Sequence, residues 1–124
     1  MCTNKNETLK INITVDGKTV TATLIDNSAS RYLVSHLPLE INLDDFNNTT
    51  EKIFYPKPSL NLKKTNNGTA PVPGDITIYM PWQNVAIFCK SIRYSDDLIK
   101  LGHIDVDRIE LFKKKGKVKV TISK

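Results

Sequence analysis

The chain has 124 residues, 40% apolar and 25% charged, which suits one domain with its own core and argues against wholesale disorder. At this length about two thirds of the unfolded surface can be buried on folding, so neither disulfides nor metals are required to hold it. The net charge of +5 raises the question of an anionic partner, but much of the excess sits in Lys113, Lys114, Lys115, Lys117, Lys119 and Lys124. No aromatic residues are interleaved there, so the cluster reads as a solvated helix end and an outward strand face, not as a nucleic-acid surface.

Residues 1–8 read as a flexible polar leader, and 9–124 as the folded domain. Cys2, followed by Thr3-Asn4-Lys5-Asn6-Glu7, resembles the start of a processed bacterial lipoprotein, in which the cysteine carries lipid and a polar tether follows. The alternative is a frayed end that happens to contain a cysteine. A bacterial cytoplasmic location and a lipoprotein-type place in the cell envelope, tethered through Cys2, both stay open. No apolar run approaches the roughly 20 residues needed to span a bilayer, and no signal peptide lies in these residues.

From Leu9 the pattern alternates. Leu9–Val15 and Lys18–Ile25 each put apolar residues on one face, and Asp16-Gly17 between them signals a tight hairpin turn. The period then changes: Asn27 or Ser28 can cap a short helix whose Ala29, Leu33 and Leu37 share a face, and Pro38 ends it. His36 near the helix end suits the dipole there. Leu39–Leu43 resumes alternation. Asp44-Asp45 and Asn47–Thr50 read as turns, and Glu51–Tyr55 as a short strand.

Pro56 and Pro58 open a long irregular stretch that runs through Pro71 and Pro73 to Gly74. Asp75–Tyr79, Val85–Lys90 and Ile99–Ile104 read as strands, separated by turns at Pro81–Asn84 and Tyr94–Asp97. Cys89 ends an apolar run and reads as a small buried thiol; a disulfide to Cys2 would tie a loose tail to a strand and is not expected. Asp105 can cap helical turns holding Val106, Ile109 and Phe112, with Lys113–Lys115 at the negative end and Gly116 just past it. Val118, Val120 and Ile122 form the inner face of a last strand. About eight short alternating strands without long helical crossovers disfavour a parallel α/β sheet. The expectation is an all-β, closed eight-stranded barrel with one or two short capping helices.

The block Gly74–Lys90, followed by Tyr94-Ser95 and Leu98–Ile104, resembles the signature of a family of small bacterial cyclophilin-like proteins. The opening hairpin and Leu24–Ala29 resemble that family's start. The likeness runs from Leu9 to Ile122 and implies a cyclophilin-type barrel with two capping helices. It implies little about activity, because the family's role is largely uncharacterised. Two positions depart from the pattern: Gln83, where a glycine is usual, and Cys89, where an aromatic is common.

Cyclophilins isomerise prolyl peptide bonds with an arginine beside an apolar proline pocket, and carry Phe-His-Arg and Phe-Met-x-Gln-Gly-Gly segments. Neither occurs here, and the arginines are Arg31, Arg93 and Arg108. Arg93, in the turn before Tyr94, is the one placed to approach a barrel face. His36 and His103 stand on separate elements without metal-ligand spacing, and His103 reads as a surface or edge residue. No nucleophile, phosphate loop, metal set or cofactor motif stands out. The better candidate is a pocket at the barrel mouth built from Tyr79, Pro81, Trp82, Phe88 and Tyr94, with Asn84 and Arg93 as polar anchors. The alternative is that Trp82 plugs the barrel end and Phe88 fills the core. The reading is therefore a non-enzymatic domain that binds a peptide or small molecule, with weak prolyl isomerase activity as the alternative.

Overall fold

The two residues between the first strands set the first pairing. β1 (Leu9–Val15) and β2 (Lys18–Leu24) pair with Val15 opposite Lys18, leaving Asp16 and Gly17 as a two-residue loop. Both have positive φ, 51° and 78°, the backbone that matches strand twist in a tight hairpin. A computed structural model describes residues 9–46, 50–56, 68–105, 109–113 and 116–124. The leader with Cys2, residues 57–67 of the long loop, Val106, Arg108, Lys114 and Lys115 lie outside the described residues.

Helix α1 (Ser28–Ser35) starts where Asn27 accepts a hydrogen bond from the Ser30 N–H at 2.8 Å. It buries Ala29, Ser30 and Leu33, and Ser30 Oγ donates to the Leu101 carbonyl at 3.2 Å. Its end is closed by His36, whose N–H reaches the Leu33 carbonyl and whose ring stacks on Tyr32. Then come β3 (Leu39–Phe46), β4 (Glu51–Phe54), β5 (Asp75–Tyr79), β6 (Asn84–Phe88), β7 (Leu98–Ile104), a 3-10 helix at Ile109–Phe112, and β8 (Val118–Ser123). The strands close into a barrel in the order β1-β2-β7-β5-β6-β4-β3-β8, every neighbouring pair antiparallel. Closure leaves no exposed sheet edge. At the β2–β7 seam Gly102 is required, since a Cβ there would lie 2.3 Å from the Thr23 carbonyl oxygen.

The interior is the expected one. Ile11, Ile13, Val15, Val20, Leu24, Leu43, Ile76, Ile78, Val85, Ile87, Val118, Val120 and Ile122 belong to one buried cluster, into which Phe112 of the 3-10 helix packs. Cys89 is a buried free thiol, and burial pushes its pKa up.

Two local expectations are corrected. Asp44 and Asp45 are not a turn: they continue β3, and Asp45 pairs with the fully buried Lys52 of β4. Lys52 Nζ also donates to the Gly116 carbonyl at 2.7 Å, while the Gly116 N–H donates to Asp45 at 2.7 Å, so the inward cation is neutralised and capped. The helical turns that Asp105 is expected to cap begin at 106–108, outside the described residues; its carboxylate accepts the hydroxyls of Thr21 and Thr23 and pairs with Lys10 at 3.1 Å. Burial would raise that carboxyl, but these donors hold it below its ordinary range. His103 is more than an edge residue: its Nδ1 lies 2.6 Å from the carboxylate of Asp75, which is buried and also accepts the Val72 N–H.

The barrel wall has two kinds of face. On β1, β2, β8 and on β3 before Phe46 the outward residues are polar and accessible, as in Lys10, Thr21, Glu40, Asn42 and Lys119. On β4, β5 and β6 the outward positions are covered as well. Ile53, Ala86, Phe88 and Leu98 form a second buried cluster, against which Tyr79 and Ile92 pack. These residues alternate with the inward Phe54, Val85, Ile87, Ile78 and Ile99, so the second cluster lies on the outside of the wall. Part of its cover is the segment that follows Cys89. The Ile92 N–H bonds to the Pro71 carbonyl at 3.2 Å, and Thr69 and Ser95 exchange backbone hydrogen bonds at 3.2 and 3.0 Å.

Candidate functional site

The cover does not close completely. A cavity of about 170 Å³ opens on the outer wall, lined by Phe46, Glu51, Tyr79, Trp82, Asn84, Ile92, Ser95 and Leu98. An apolar cavity of about 150 Å³ accommodates benzene, so this space suits one ring-sized group.

Each lining element arrives for a local reason. Strand alternation turns Glu51, Tyr79, Asn84 and Leu98 away from the barrel interior, whereas their neighbours Phe54, Ile78, Val85 and Ile99 point inward. The tight turn between β5 and β6 throws Trp82 out, 50% exposed. In that turn Gln83 adopts φ +57°, its N–H bonds to the Tyr79 carbonyl at 2.7 Å, and its Nε2 donates to the Met80 carbonyl at 2.8 Å. A left-handed backbone favours glycine, so Gln83 holds this turn at a conformational cost. The Trp82 ring meets Tyr79 edge-on at 5.4 Å between centroids and Phe46 edge-on at 5.6 Å, so three aromatic rings form a continuous wall.

The polar groups of the pocket are under-satisfied. Asn84 is 2% exposed, and its Oδ1 is buried without a hydrogen-bond partner. Glu51 is 9% exposed, and its carboxyl has no hydrogen bond or ion pair among the described residues. Burial pushes this carboxyl up to about 7. Among the described residues Glu51 is the one carboxyl of the lining, and no described lysine or arginine lines the cavity with it.

Of the residues anticipated from the sequence, Tyr79, Trp82 and Asn84 meet in this cavity. The other anticipated residues do not. Phe88 is fully buried in the second cluster beneath it, and Pro81 and Arg93 are exposed outside the lining. Tyr94 lies against Gly68, where a Cβ would come 2.3 Å from its Oη. A hydrogen bond with Asp96 raises its phenol pKa. This cavity lies on the outer wall of the barrel, and Trp82 rims it. Sequence reasoning missed Phe46, Glu51, Ile92, Ser95 and Leu98. No sequence signal marked Glu51: the strand Glu51–Phe54 is buried on both faces only because the fold covers its outer side.

A second concavity holds His103 beside Val72, Pro73, Gly74, Ile104, Asp105 and Ile109. Asp75 orients the His103 ring, but among the described residues no serine, threonine or cysteine lines that space. Among the described residues no group of three or more His, Cys, Asp and Glu side chains could hold a metal ion. No described helix is long and apolar enough to cross a membrane.

Comparison with known proteins agrees with this architecture. The barrel is similar to the solution structure of the hypothetical protein AF2241 from Archaeoglobus fulgidus, with a TM-score of 0.72 and 14% identity over 94% of each chain. At that identity the likeness is one of fold alone. No curated protein matches the chain. A family model described as the cyclophilin-like family matches residues 13–123, from within β1 to the end of β8. By that match the chain belongs to the cyclophilin-like family.

Proposed function

We propose that this domain is a binding module that receives a small, ring-bearing ligand in the outer-wall pocket and performs no chemistry on it. The observation that carries the reading is the set of three edge-on aromatic rings, Phe46, Tyr79 and Trp82, standing over a cavity of about 170 Å³. Such walls bury an apolar body while a few polar groups fix its orientation. Prolyl isomerisation would call for a cationic donor at the pocket. The charge available in the lining is instead the Glu51 carboxyl, and Arg93 is exposed outside it.

The test is Trp82 fluorescence, which reports on one indole because the chain has one tryptophan. Titration with a panel of ring-bearing molecules of six to ten heavy atoms, about the size the cavity admits, should shift or quench the emission saturably for some members. No saturable response from any member, in a protein shown by circular dichroism to be folded, would contradict the reading.

A further inference from the structure

Resting on that pocket reading, we infer that the ligand carries a protonated nitrogen on its ring-sized body: the site is built for an organic ammonium ion held by Glu51 between the rings of Phe46, Tyr79 and Trp82. Three independent observations converge on this charge class. The first is the carboxyl itself. Glu51 is nine-tenths buried and has no cation or hydrogen-bond donor among the described residues. A buried carboxylate without a partner is costly, so it is either protonated or waiting for a positive group.

The second is Asn84, whose Oδ1 is a buried acceptor with no donor. The pocket thus has two oxygen-bearing side chains short of donors. An anionic ligand would meet the carboxyl as a like charge, whereas an ammonium ion brings up to three N–H donors. The third is the aromatic wall. Ring faces carry negative charge density and attract cations, Trp most strongly, by about 0.5–2 kcal/mol. Tyr79 and Phe46 each meet Trp82 edge-on, with interplanar angles of 89° and 86°, so the three rings are not a flat stack.

The protein's net charge of +5 opposes a cation at long range. That repulsion is screened beyond about 8 Å at physiological ionic strength, while the carboxyl acts at contact. The ammonium group could belong to a free amine or to the amino terminus of a peptide, and both present the same chemistry.

Calorimetric titrations at about pH 8 leave Glu51 largely ionised and an alkylamine protonated; a peptide α-amino group is only about half protonated there, so each affinity is referred to the protonated fraction of its probe. The probes are benzylammonium, benzyl alcohol and benzoate, with phenylalanyl-glycine amide, free and N-acetylated, as the peptide arm. Benzylammonium should bind at least about tenfold more tightly than benzyl alcohol, the difference a charge-assisted hydrogen bond supplies, and benzoate should be the weakest. Glu51→Gln should bring benzylammonium and benzyl alcohol to within about twofold of each other. Preferential binding of the free dipeptide amide over benzylammonium would assign the source as a peptide amino terminus; the reverse order assigns a free amine. Equal binding of benzylammonium and benzyl alcohol to the unaltered protein, or a preference for benzoate, overturns the charge assignment while the pocket stands. If none of the probes binds the folded protein, the pocket reading falls as well.

Discussion

The two halves of the barrel wall are made of similar strands and do different work. The wall of β1, β2, β8 and most of β3 is one-sided: apolar residues enter the core and polar ones meet water, with Asp45 and Phe46 at the end of β3 as the exceptions. The wall of β4, β5, β6 and β7 is largely two-sided, with Phe88, Ala86, Ile53 and Leu98 buried on its outer face as well. A wall covered on both sides creates a second apolar layer, and wherever the cover is incomplete that layer becomes a pocket with desolvated polar groups. The same geometry that shelters Phe88 strips water from Glu51 and Asn84.

The contrast breaks most visibly if outward residues of the two walls are truncated in parallel. Phe88→Ala should cost about 3–5 kcal/mol of unfolding free energy, as for a buried aromatic. Thr121→Ala, outward on β8, should stay within about 0.5 kcal/mol. Chemical denaturation measures both, and similar losses at the two positions would erase the distinction between the walls.

A smaller effect sharpens the same contrast through pH. The Glu51 carboxyl, ordinarily near 4.5, is held at about 7 in the folded protein by burial. The folded state therefore binds more protons than the unfolded state between those two values. The stability this group allows is full below about pH 4.5 and is lost as pH rises toward 7. Denaturation midpoints across that window should fall for the unaltered protein, and Glu51→Gln should remove that part of the slope, leaving the variant more stable at neutral pH by about 1–3 kcal/mol. Slopes that coincide in the two proteins would mean that Glu51 is solvated. Asp26, on the exposed loop before α1, shows the opposite behaviour: its hydrogen bond from Arg31 holds its pKa down.

The smallest effect concerns the turn that carries Trp82. Gln83 holds φ +57°, a conformation that costs an L-residue about 1–2 kcal/mol relative to a right-handed backbone. Gln83→Gly should relieve that cost, offset by the lost bond from Nε2 to the Met80 carbonyl. The net gain should be under about 1 kcal/mol in thermal denaturation. A net loss of that size would show that the side-chain bond, and not the backbone, sets this turn.

How much of this was legible in the residues follows from the same two walls. Period-two alternation is a signal of one-sided burial, so Leu9–Val15, Lys18–Leu24 and Val118–Ser123 could be read almost to the residue, and with them the closed barrel. Asn27 capping and the Asp16-Gly17 turn were equally readable, because each depends on local chemistry. The outer layer was not. Val85–Cys89 is buried at every position, and a continuous apolar run does not say which side carries a pocket. Trp82, Tyr79 and Asn84 could be nominated because they are close in sequence. Phe46, Glu51, Ile92 and Leu98 come from other elements, and only the barrel's closure brings them together. The pairing of Asp45 with Lys52, and of Asp75 with His103, is of the same non-local kind.

The most direct test of the outer-wall site is a residue-resolved NMR titration of the folded protein with benzylammonium. Amide shifts should concentrate at Phe46, Glu51, Tyr79, Asn84 and Ser95, together with the Trp82 indole N–H, while Asn12, Thr21 and Thr121 on the one-sided wall stay silent. Shifts clustered instead around the barrel ends, or spread evenly over both walls, would contradict the account.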